Sequence, residues 1–110
     1  MQLVTLAVLN ERRYYFTVIR SFADADTELL CDTGRNRRIP ANIRSSALKK
    51  IAQLDSAERL EDLWSPPGNR LEAMTGDRKG QHSIRINDQY RLCFTWTDRE
   101  AYDVEIVDYH

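Results

Sequence analysis

The sequence has too few cysteines for a disulfide-rich protein, and its apolar run is too short for a membrane-spanning helix. Its two cysteines, Cys31 and Cys93, cannot build a disulfide framework and lack metal-ligand spacing, so buried, reduced thiols in the cytosol are expected. The apolar stretch at residues 3–9 is too short to cross a bilayer and lacks the flanks of a signal peptide. With 42% hydrophobic and 30% charged residues, the chain is predicted to form one globular domain.

An excess of charge of one sign is also missing, because the formal net charge is −1. The charges are nevertheless unevenly distributed, since residues 35–50 hold six basic side chains and no acidic one. These basic residues are Arg35, Arg37, Arg38, Arg44, Lys49 and Lys50. Such a basic patch can contact phosphates even in a chain of nearly neutral total charge. The alternative is an ordinary solvated helix face.

Two helices are predicted in the first half of the chain, after a short strand at residues 18–22. Residues 24–32 favour a helix that ends at Gly34. Pro40 is well placed to begin a second helix over residues 41–55, where apolar residues recur at helical spacing. A further short turn follows at residues 60–64 and ends at the loop of residues 65–68. Trp64 and, later in the chain, Trp96 are both expected in the core.

A hairpin is predicted where the apolar period changes to two. One buried face should carry Ile84, Ile86, Tyr90, Leu92, Phe94 and Trp96. A three-residue turn at residues 87–89 keeps this face intact, whereas a two-residue turn mixes the faces. The selected register places Arg85 opposite Arg91 on the other face, where like charges repel. A bound phosphate explains this pair better than stability does, although both side chains could instead extend into solvent.

A final strand is predicted over residues 101–107. Its apolar face should carry Tyr102, Val104 and Ile106, with Asp103 and Glu105 in solvent. Strict alternation then places Asp108 and His110 on the apolar face and Tyr109 opposite, so all three serve one site only if the strand ends or twists near Val107. The other histidine, His82, is expected to be partly buried and hydrogen-bonded near the apolar side.

Four segments of the chain form a specific combination of motifs, because of their order, their spacing and the position of the last one at the C-terminus. They are residues 19–22, the stretch from Arg70 to Gly80, the segment from Arg91 to Phe94, and the terminal Asp108-Tyr109-His110. Together they resemble the HigB toxins, the plasmid-maintenance killer proteins of the RelE-like microbial ribonuclease superfamily. The resemblance implies a toxin domain over residues 18–110. Residues 1–17 would be a dispensable N-terminal extension from a mis-assigned start, or else an added edge strand.

The resemblance implies an α+β fold, the RelE-like microbial ribonuclease fold, with a short N-terminal strand and two helices packed on an antiparallel sheet. It also implies a cytoplasmic toxin of a type II toxin–antitoxin system, which cleaves mRNA in the A site of the 30S ribosomal subunit without metal or cofactor. The implied partner is a HigA-type helix-turn-helix antitoxin, with DNA contacted only through that antitoxin and no membrane involved. The reaction would be attack of the RNA's own 2′-hydroxyl on the adjacent phosphate.

This reaction needs a base for the 2′-hydroxyl proton, an acid for the 5′ leaving oxygen and a cation for the phosphorane charge. By the resemblance, Arg91 is the active-site arginine, while Asp108 and His110 are the terminal catalytic residues. Tyr109 could stack on a base or orient one. Phosphate or RNA contacts are expected from Arg78, Arg85, Arg44, Lys49 and Lys50.

The chain departs from the family pattern at two positions, Glu72 and Thr75, where many relatives carry histidine and lysine. Glu72 could replace the imidazole as general base or be a solvated carboxylate, and the lost lysine removes one phosphate contact. Two rival functions therefore stay open. One is a gyrase poison on the same fold, and the other is a catalytically weak toxin that acts mainly in an antitoxin–DNA autoregulatory complex.

Overall fold

The computed structural model describes residues 16–109, which fold into an antiparallel sheet with two helices on one of its faces. The helices are α1 (Ala25–Thr33) and α2 (Ala41–Asp55). The strands are β1 (Glu72–Ala73), β2 (His82–Arg85), β3 (Tyr90–Thr97) and β4 (Glu100–Asp108), adjacent in that order. Three 3₁₀ turns cover Leu60–Trp64, Pro67–Asn69 and Gly76–Arg78. The predicted α+β fold is confirmed.

The two helices have nearly the predicted bounds. The Asp24 side chain accepts a hydrogen bond from the Thr27 N–H at 3.3 Å and so caps α1 at its N-terminus. Gly34 ends the helix with φ +80°, and its N–H donates to the Leu30 carbonyl at 2.7 Å. Glycine adopts this left-handed conformation at little cost, which explains its presence at this position. The predicted end of the helix at Gly34 is confirmed. Helix α2 covers the predicted residues 41–55.

The hairpin between β2 and β3 has the predicted register. Arg85 lies opposite Arg91, and Ser83 lies opposite Cys93. In the turn, the Asn87 side-chain oxygen accepts hydrogen bonds from the N–H groups of Gln89 and Tyr90, at 2.8 and 2.7 Å. This local bonding satisfies the turn backbone and keeps the apolar side chains of both strands on the face that packs against the helices.

The last strand, β4, contains a bulge that makes one prediction wrong. Asp103 has φ +54°, and the pairing with β3 shifts between Cys93 and Thr95. Thr95 therefore lies opposite Tyr102, which turns away from the core, while Ala101 is fully buried. A bulge adds one residue to one strand and so inverts the alternation that was assumed for Tyr102.

Trp64 is also placed differently from the prediction, because 68% of its surface is exposed. In a 3₁₀ turn, residues three apart face the same way, so Leu60 and Leu63 share the inward side. Trp64 follows Leu63 directly and is rotated outward. Trp96 packs against the core as predicted.

The N-terminal segment of the described chain runs parallel to β4, with bridges from Ile19 to Ala101 and from Phe22 to Val104. Its start is held by the Asp55 carboxylate, which accepts hydrogen bonds from three successive backbone N–H groups at 2.7–2.9 Å. These groups belong to residues 17–19. The alternative edge strand at residues 3–9 lies outside the described residues, so the proposed extension stays a prediction.

Candidate active site

The side chain of Arg91 is the centre of the sheet face that points away from the helices. It is only 8% exposed, and three groups hold it. Its Nε donates to the Ser83 hydroxyl at 2.7 Å, and its Nη2 donates to the Arg70 carbonyl at 2.6 Å. Its Nη2 also lies 3.3 Å from a carboxylate oxygen of Glu72. Burial and directional hydrogen bonds therefore fix the guanidinium in one orientation.

Glu72 lies in the two-residue edge strand β1, directly opposite Ser83 of β2. Its side chain is about half exposed, in contrast to the buried Arg91 with which it pairs. The pairing brings together two of the residues that the sequence nominated for catalysis. Ser83 was not among them, because a serine in a strand carries no sequence signal for contact with an arginine.

A second ion pair lies on the same face, between Arg78 and Glu105 at 3.2 Å. The prediction that Glu105 is in solvent is therefore wrong, because this ion pair partly buries it. Arg78 also donates to the Gln81 side chain at 3.0 Å, within the turn that carries it. Arg78 is thus placed by its own loop and by β4.

The thiol of Cys93 lies beneath these two ion pairs and is fully buried. Burial raises the pKa of Cys93, and the nearby Arg78 and Arg91 partly oppose this increase. The carboxylates of Glu105 and Glu72 raise the pKa further. Since a neutral thiol is a weak nucleophile, Cys93 contributes packing and no covalent chemistry.

The loop before β1 is anchored by Asn69, a polar residue with no exposed surface. Its Oδ1 accepts a hydrogen bond from Lys50 Nζ at 2.6 Å. Its Nδ2 donates to Gln53 Oε1 and to the carbonyl oxygens of Leu63 and Ser65, at 3.1–3.3 Å. The next residue, Arg70, has φ +46° and supplies the carbonyl that holds Arg91. Asn69 therefore connects the basic face of α2 to the buried guanidinium.

The predicted phosphate contacts fall into two groups. Burial lowers the pKa of Lys50, and the nearby charges of Lys49 and Arg85 lower it further. Arg85 forms an ion pair with Asp88 in the hairpin turn. Arg44 instead donates to the Ile39 carbonyl at 2.9 Å, and Lys49 is exposed on the helix surface. Lys50 is thus connected through Asn69 to the loop that holds Arg91, whereas Lys49 is exposed.

Of the terminal residues, Asp108 lies on the face of the sheet opposite to Arg91. Asp108 lies opposite Tyr90 on the side of Ile106, as strict alternation predicts, and lines a pocket of about 240 Å³. Its carboxylate accepts a hydrogen bond from the Gln89 side chain at 3.1 Å. The Tyr109 N–H donates to the Gln89 carbonyl at 2.7 Å, and its ring is exposed. His110 lies outside the described residues.

The position of His82 agrees with the prediction only in part. It is partly buried and its ring stacks on Phe94 at a centroid distance of 6.3 Å. Its Nδ1, however, is buried and finds no hydrogen-bond partner among residues 16–109, so the expected hydrogen bond is missing at this atom.

The described part of the chain contains neither a metal-binding cluster nor a membrane-spanning helix. Within residues 16–109, no three side chains of histidine, cysteine, aspartate or glutamate gather to hold a metal ion. Neither helix in this range has the length and apolar character needed to cross a membrane.

The fold defines the general class of the protein. The structure of the YoeB–YefM complex from Staphylococcus aureus superposes with a TM-score of 0.54 at 17% identity, over 84% of this chain and 94% of that one. This likeness shows a shared fold, and the match to a family of RelE-like toxins identifies it as the predicted RelE-like toxin fold.

The particular family follows from sequence comparison. The model of the HigB-like toxins, RelE-like toxins of the type II toxin–antitoxin system HigB, matches residues 20–110, and the chain belongs to this family. Toxin HigB-1 of Vibrio cholerae is 48% identical over 70 residues, which cover 64% of this chain and 74% of that protein. Endoribonuclease HigB of Proteus vulgaris is 27% identical over 93 residues, which cover 84% of this chain and all of that protein.

Proposed function

We propose that this protein is the toxin of a type II toxin–antitoxin pair and that it cleaves mRNA through attack of the RNA's own 2′-hydroxyl. The observation that carries the proposal is the pairing of a buried guanidinium, Arg91, with a half-exposed carboxylate, Glu72, at 3.3 Å. A cation and a proton acceptor held side by side are two of the three groups that this reaction needs. Membership of the HigB-like toxin family and the name of the Proteus vulgaris relative support the same activity.

In the proposed mechanism, Glu72 accepts the proton of the 2′-hydroxyl as its oxygen bonds to the adjacent phosphorus. Arg91 stabilises the negative charge that develops on the phosphorane oxygens. His110 protonates the 5′-oxygen as its bond to phosphorus breaks. The products are a 2′,3′-cyclic phosphate and a free 5′-hydroxyl. In this mechanism, side chains accept one proton, donate the other and stabilise the developing charge, so the proposed reaction is metal-independent.

Arrival of the substrate phosphate would also release the proposed base. Glu72 and the phosphate compete for Nη2 of Arg91, and a carboxylate freed from its ion pair is available to take a proton. Arg78, Arg85 and Lys50 flank this position and would bind the neighbouring phosphates of the RNA backbone. Tyr109 would stack on a base, and Asp108 would orient the C-terminus.

The proposed catalytic set favours action on the ribosome. The chain has two histidines, and His82 packs on Phe94 in the apolar half of the sheet, so His110 is the one histidine assigned to proton transfer beside Glu72. A poor set of acids and bases can still work if another body holds the 2′-hydroxyl in line with its phosphate. The 30S A site would supply that geometry, and the basic side of α2 would dock on ribosomal RNA.

The test compares purified protein on naked mRNA and on programmed ribosomes, with primer extension as the readout. Cleavage is expected only on ribosomes, and unchanged by a metal chelator that leaves the ribosome intact. His110→Ala should slow cleavage by roughly 10²–10⁴-fold. Equal cleavage in both tubes would show a free nuclease and contradict the ribosome-dependent part of the proposal. Absence of any cleavage, together with growth arrest, would favour the gyrase alternative.

The proposed partner is a HigA-type helix-turn-helix antitoxin in the cytoplasm, which would neutralise the toxin and carry it to DNA. Co-expression with the cognate antitoxin should restore growth. Reversing the charges of Arg44, Lys49 and Lys50 together should slow cleavage on ribosomes, because docking through counterion release would be lost. An unchanged rate would show that this basic patch is an ordinary solvated helix face.

A further inference from the structure

The exposed indole of Trp64 is the starting point of this inference. Trp64 is 68% exposed at the end of its 3₁₀ turn, whereas Trp96 packs on Phe94 with ring centroids 6.5 Å apart. Tryptophan is enriched at contact surfaces, because its ring is apolar while its N–H can bond a polar partner. The core does not need this ring, because Leu60 and Leu63 already fill the inward side of the turn.

Beside Trp64 lies a pocket of about 320 Å³. Its lining residues are Leu60, Glu61, Trp64, Leu71, Glu72, Ala73 and His82. This volume is at the lower end of the range for small-ligand sites, roughly 300–1,000 Å³. Glu72 lines the pocket and also pairs with Arg91, so the pocket continues directly from the candidate active site around the edge strand β1.

The polar groups of this pocket suit a flat ligand that carries N–H groups. His82 lines the pocket, and its Nδ1 is buried without a hydrogen-bond partner among residues 16–109, which is energetically costly. The carboxylates of Glu61 and Glu72 accept hydrogen bonds but repel a phosphate. Apolar walls, one exposed indole and acceptors at the rim are the chemistry that recognises a nucleobase and excludes the charged part of a nucleotide.

We propose that this pocket binds a base of the RNA next to the cleaved phosphate, by stacking on Trp64. The inference rests on the proposed function, because it assigns the base of the same substrate whose phosphate Arg91 would bind. The RNA strand crosses the edge strand β1, with its phosphates on the side of Arg91, Arg85 and Lys50 and one base on the side of Trp64. Bases with an amino group fit the rim carboxylates best.

Binding is tested by the fluorescence of Trp64 alone. The Trp96→Phe variant leaves Trp64 as the one tryptophan, because the chain has two. The probe is a 2′-O-methyl adenosine hexamer, which lacks the nucleophilic hydroxyl and cannot be cleaved. An abasic hexamer with the same backbone is the control. We expect saturable quenching of at least twofold with the adenosine hexamer and none with the abasic one. Equal quenching by both hexamers, or none by either, would overturn the proposal.

Catalysis on programmed ribosomes gives a second, independent measurement. Trp64→Ala should lower kcat/KM by about tenfold to a hundredfold, the usual range for losing one stacked base. Trp64→Phe should keep most of the rate, because it keeps an aromatic face. Leu29→Ala, which removes an exposed apolar side chain from α1, is the matched control and should change nothing.

The possible outcomes separate this inference from the proposed function. If the wild-type chain cleaves and Trp64→Ala cleaves equally well, the base site is wrong while the nuclease stands. If Trp64→Ala cleaves normally but no longer binds the cognate antitoxin, Trp64 belongs to a protein interface, which also overturns the base site. If the wild-type chain does not cleave RNA, the proposed function fails, and the fluorescence titration alone decides whether the pocket takes a base.

Discussion

The two faces of the sheet are both buried, but they are held by different forces. On the face toward the helices, Ile84, Leu92 and Phe94 are buried by apolar contacts, which have no direction and tolerate similar shapes. On the opposite face, Arg91 and Ser83 are buried by hydrogen bonds and ion pairs, which depend on distance and angle. Neighbouring residues of β3 therefore serve the fold and the site in alternation.

The polar face also includes an arrangement that stability alone would not favour. Arg85 and Arg91 lie directly opposite each other, and like charges in this position destabilise a sheet by a few tenths of a kcal/mol, in the range of about 0.2–1 kcal/mol for cross-strand pairs. Asp88 and Glu72 offset these charges from outside the pair. A phosphate bound between the two guanidinium groups would turn this local cost into binding energy.

Substitution of neighbouring residues of β3 tests this comparison most strongly. Arg91→Ala should slow RNA cleavage by roughly 10²–10³-fold, because it removes the charge that stabilises the phosphorane. Leu92→Ala should instead lower the free energy of unfolding by about 2–5 kcal/mol and leave the folded molecules active. Urea unfolding and single-turnover cleavage separate the two effects. If Arg91→Ala lowered the free energy of unfolding as much as Leu92→Ala does, the two faces of β3 would not have the separate roles described here.

The anchor of the loop before β1 is expected to affect both stability and activity. Asn69→Ala leaves the partners of a fully buried amide unsatisfied, which costs about 1–3 kcal/mol of unfolding free energy. Cleavage should also slow, because the Arg70 carbonyl would no longer hold Arg91 firmly. Asn69→Asp keeps an acceptor for Lys50 and is the matched control. Equal loss of activity in both variants would show that the hydrogen bonds donated by Nδ2, and not the contact with Lys50, position the loop.

Two adjacent lysines of α2 provide a finer test. Lys50→Met should weaken RNA binding and reduce the slope of log affinity against log salt by about 1, since one phosphate contact is lost. Lys49→Met, one position earlier, should have little effect, because that side chain is exposed, whereas Lys50 donates a hydrogen bond to Asn69. Binding is measured with catalytically inactive protein on programmed ribosomes over a range of salt concentrations. Identical slopes for the two variants would place both lysines in one diffuse patch.

The smallest expected effect concerns the thiol beneath the ion pairs. Because burial raises the pKa of Cys93 above its ordinary value of 9.0, the folded state keeps the proton that the unfolded state loses. The contribution of the protonated thiol to the free energy of unfolding is complete below pH 9.0. It is lost as the pH rises through the higher pKa of the folded state. Urea unfolding between pH 8 and pH 10 should therefore show a steeper decline for the wild type than for Cys93→Ala. Parallel declines would contradict the inferred burial of the thiol.

Those parts of the fold that follow from periodicity could be predicted from the sequence. The spacing of apolar residues in α2 and the change to a period of two gave the helix bounds and the hairpin register, including Arg85 opposite Arg91. Periodicity assumes regular backbone, so it failed at Tyr102, where a bulge intervenes, and at Trp64, where the turn is 3₁₀.

The candidate site was predictable only where it followed from the register or from the resemblance. The pairing of Arg91 with Glu72 joins two predicted residues, but their roles stay predictions. Ser83, Asn69 and Glu105 were missed because their contacts join segments far apart in the chain, from 8 to 27 residues. Such contacts depend on tertiary packing, which leaves no local pattern in the sequence.

The carboxylate of Asp55 has a consequence for where a functional chain can begin. Three successive amide groups converge on this anion, as in the backbone nests that bind phosphate, and the amide of Val18 lies 2.7 Å from one of its oxygens. A chain started with methionine at position 18 would place its α-ammonium at the same point and exchange an amide hydrogen bond for an ion pair. The shortened protein would then gain a new dependence on pH. Its stability should fall as the solution passes about pH 8, where α-amino groups lose their proton, whereas the full chain has an uncharged amide at position 18 and lacks this contribution.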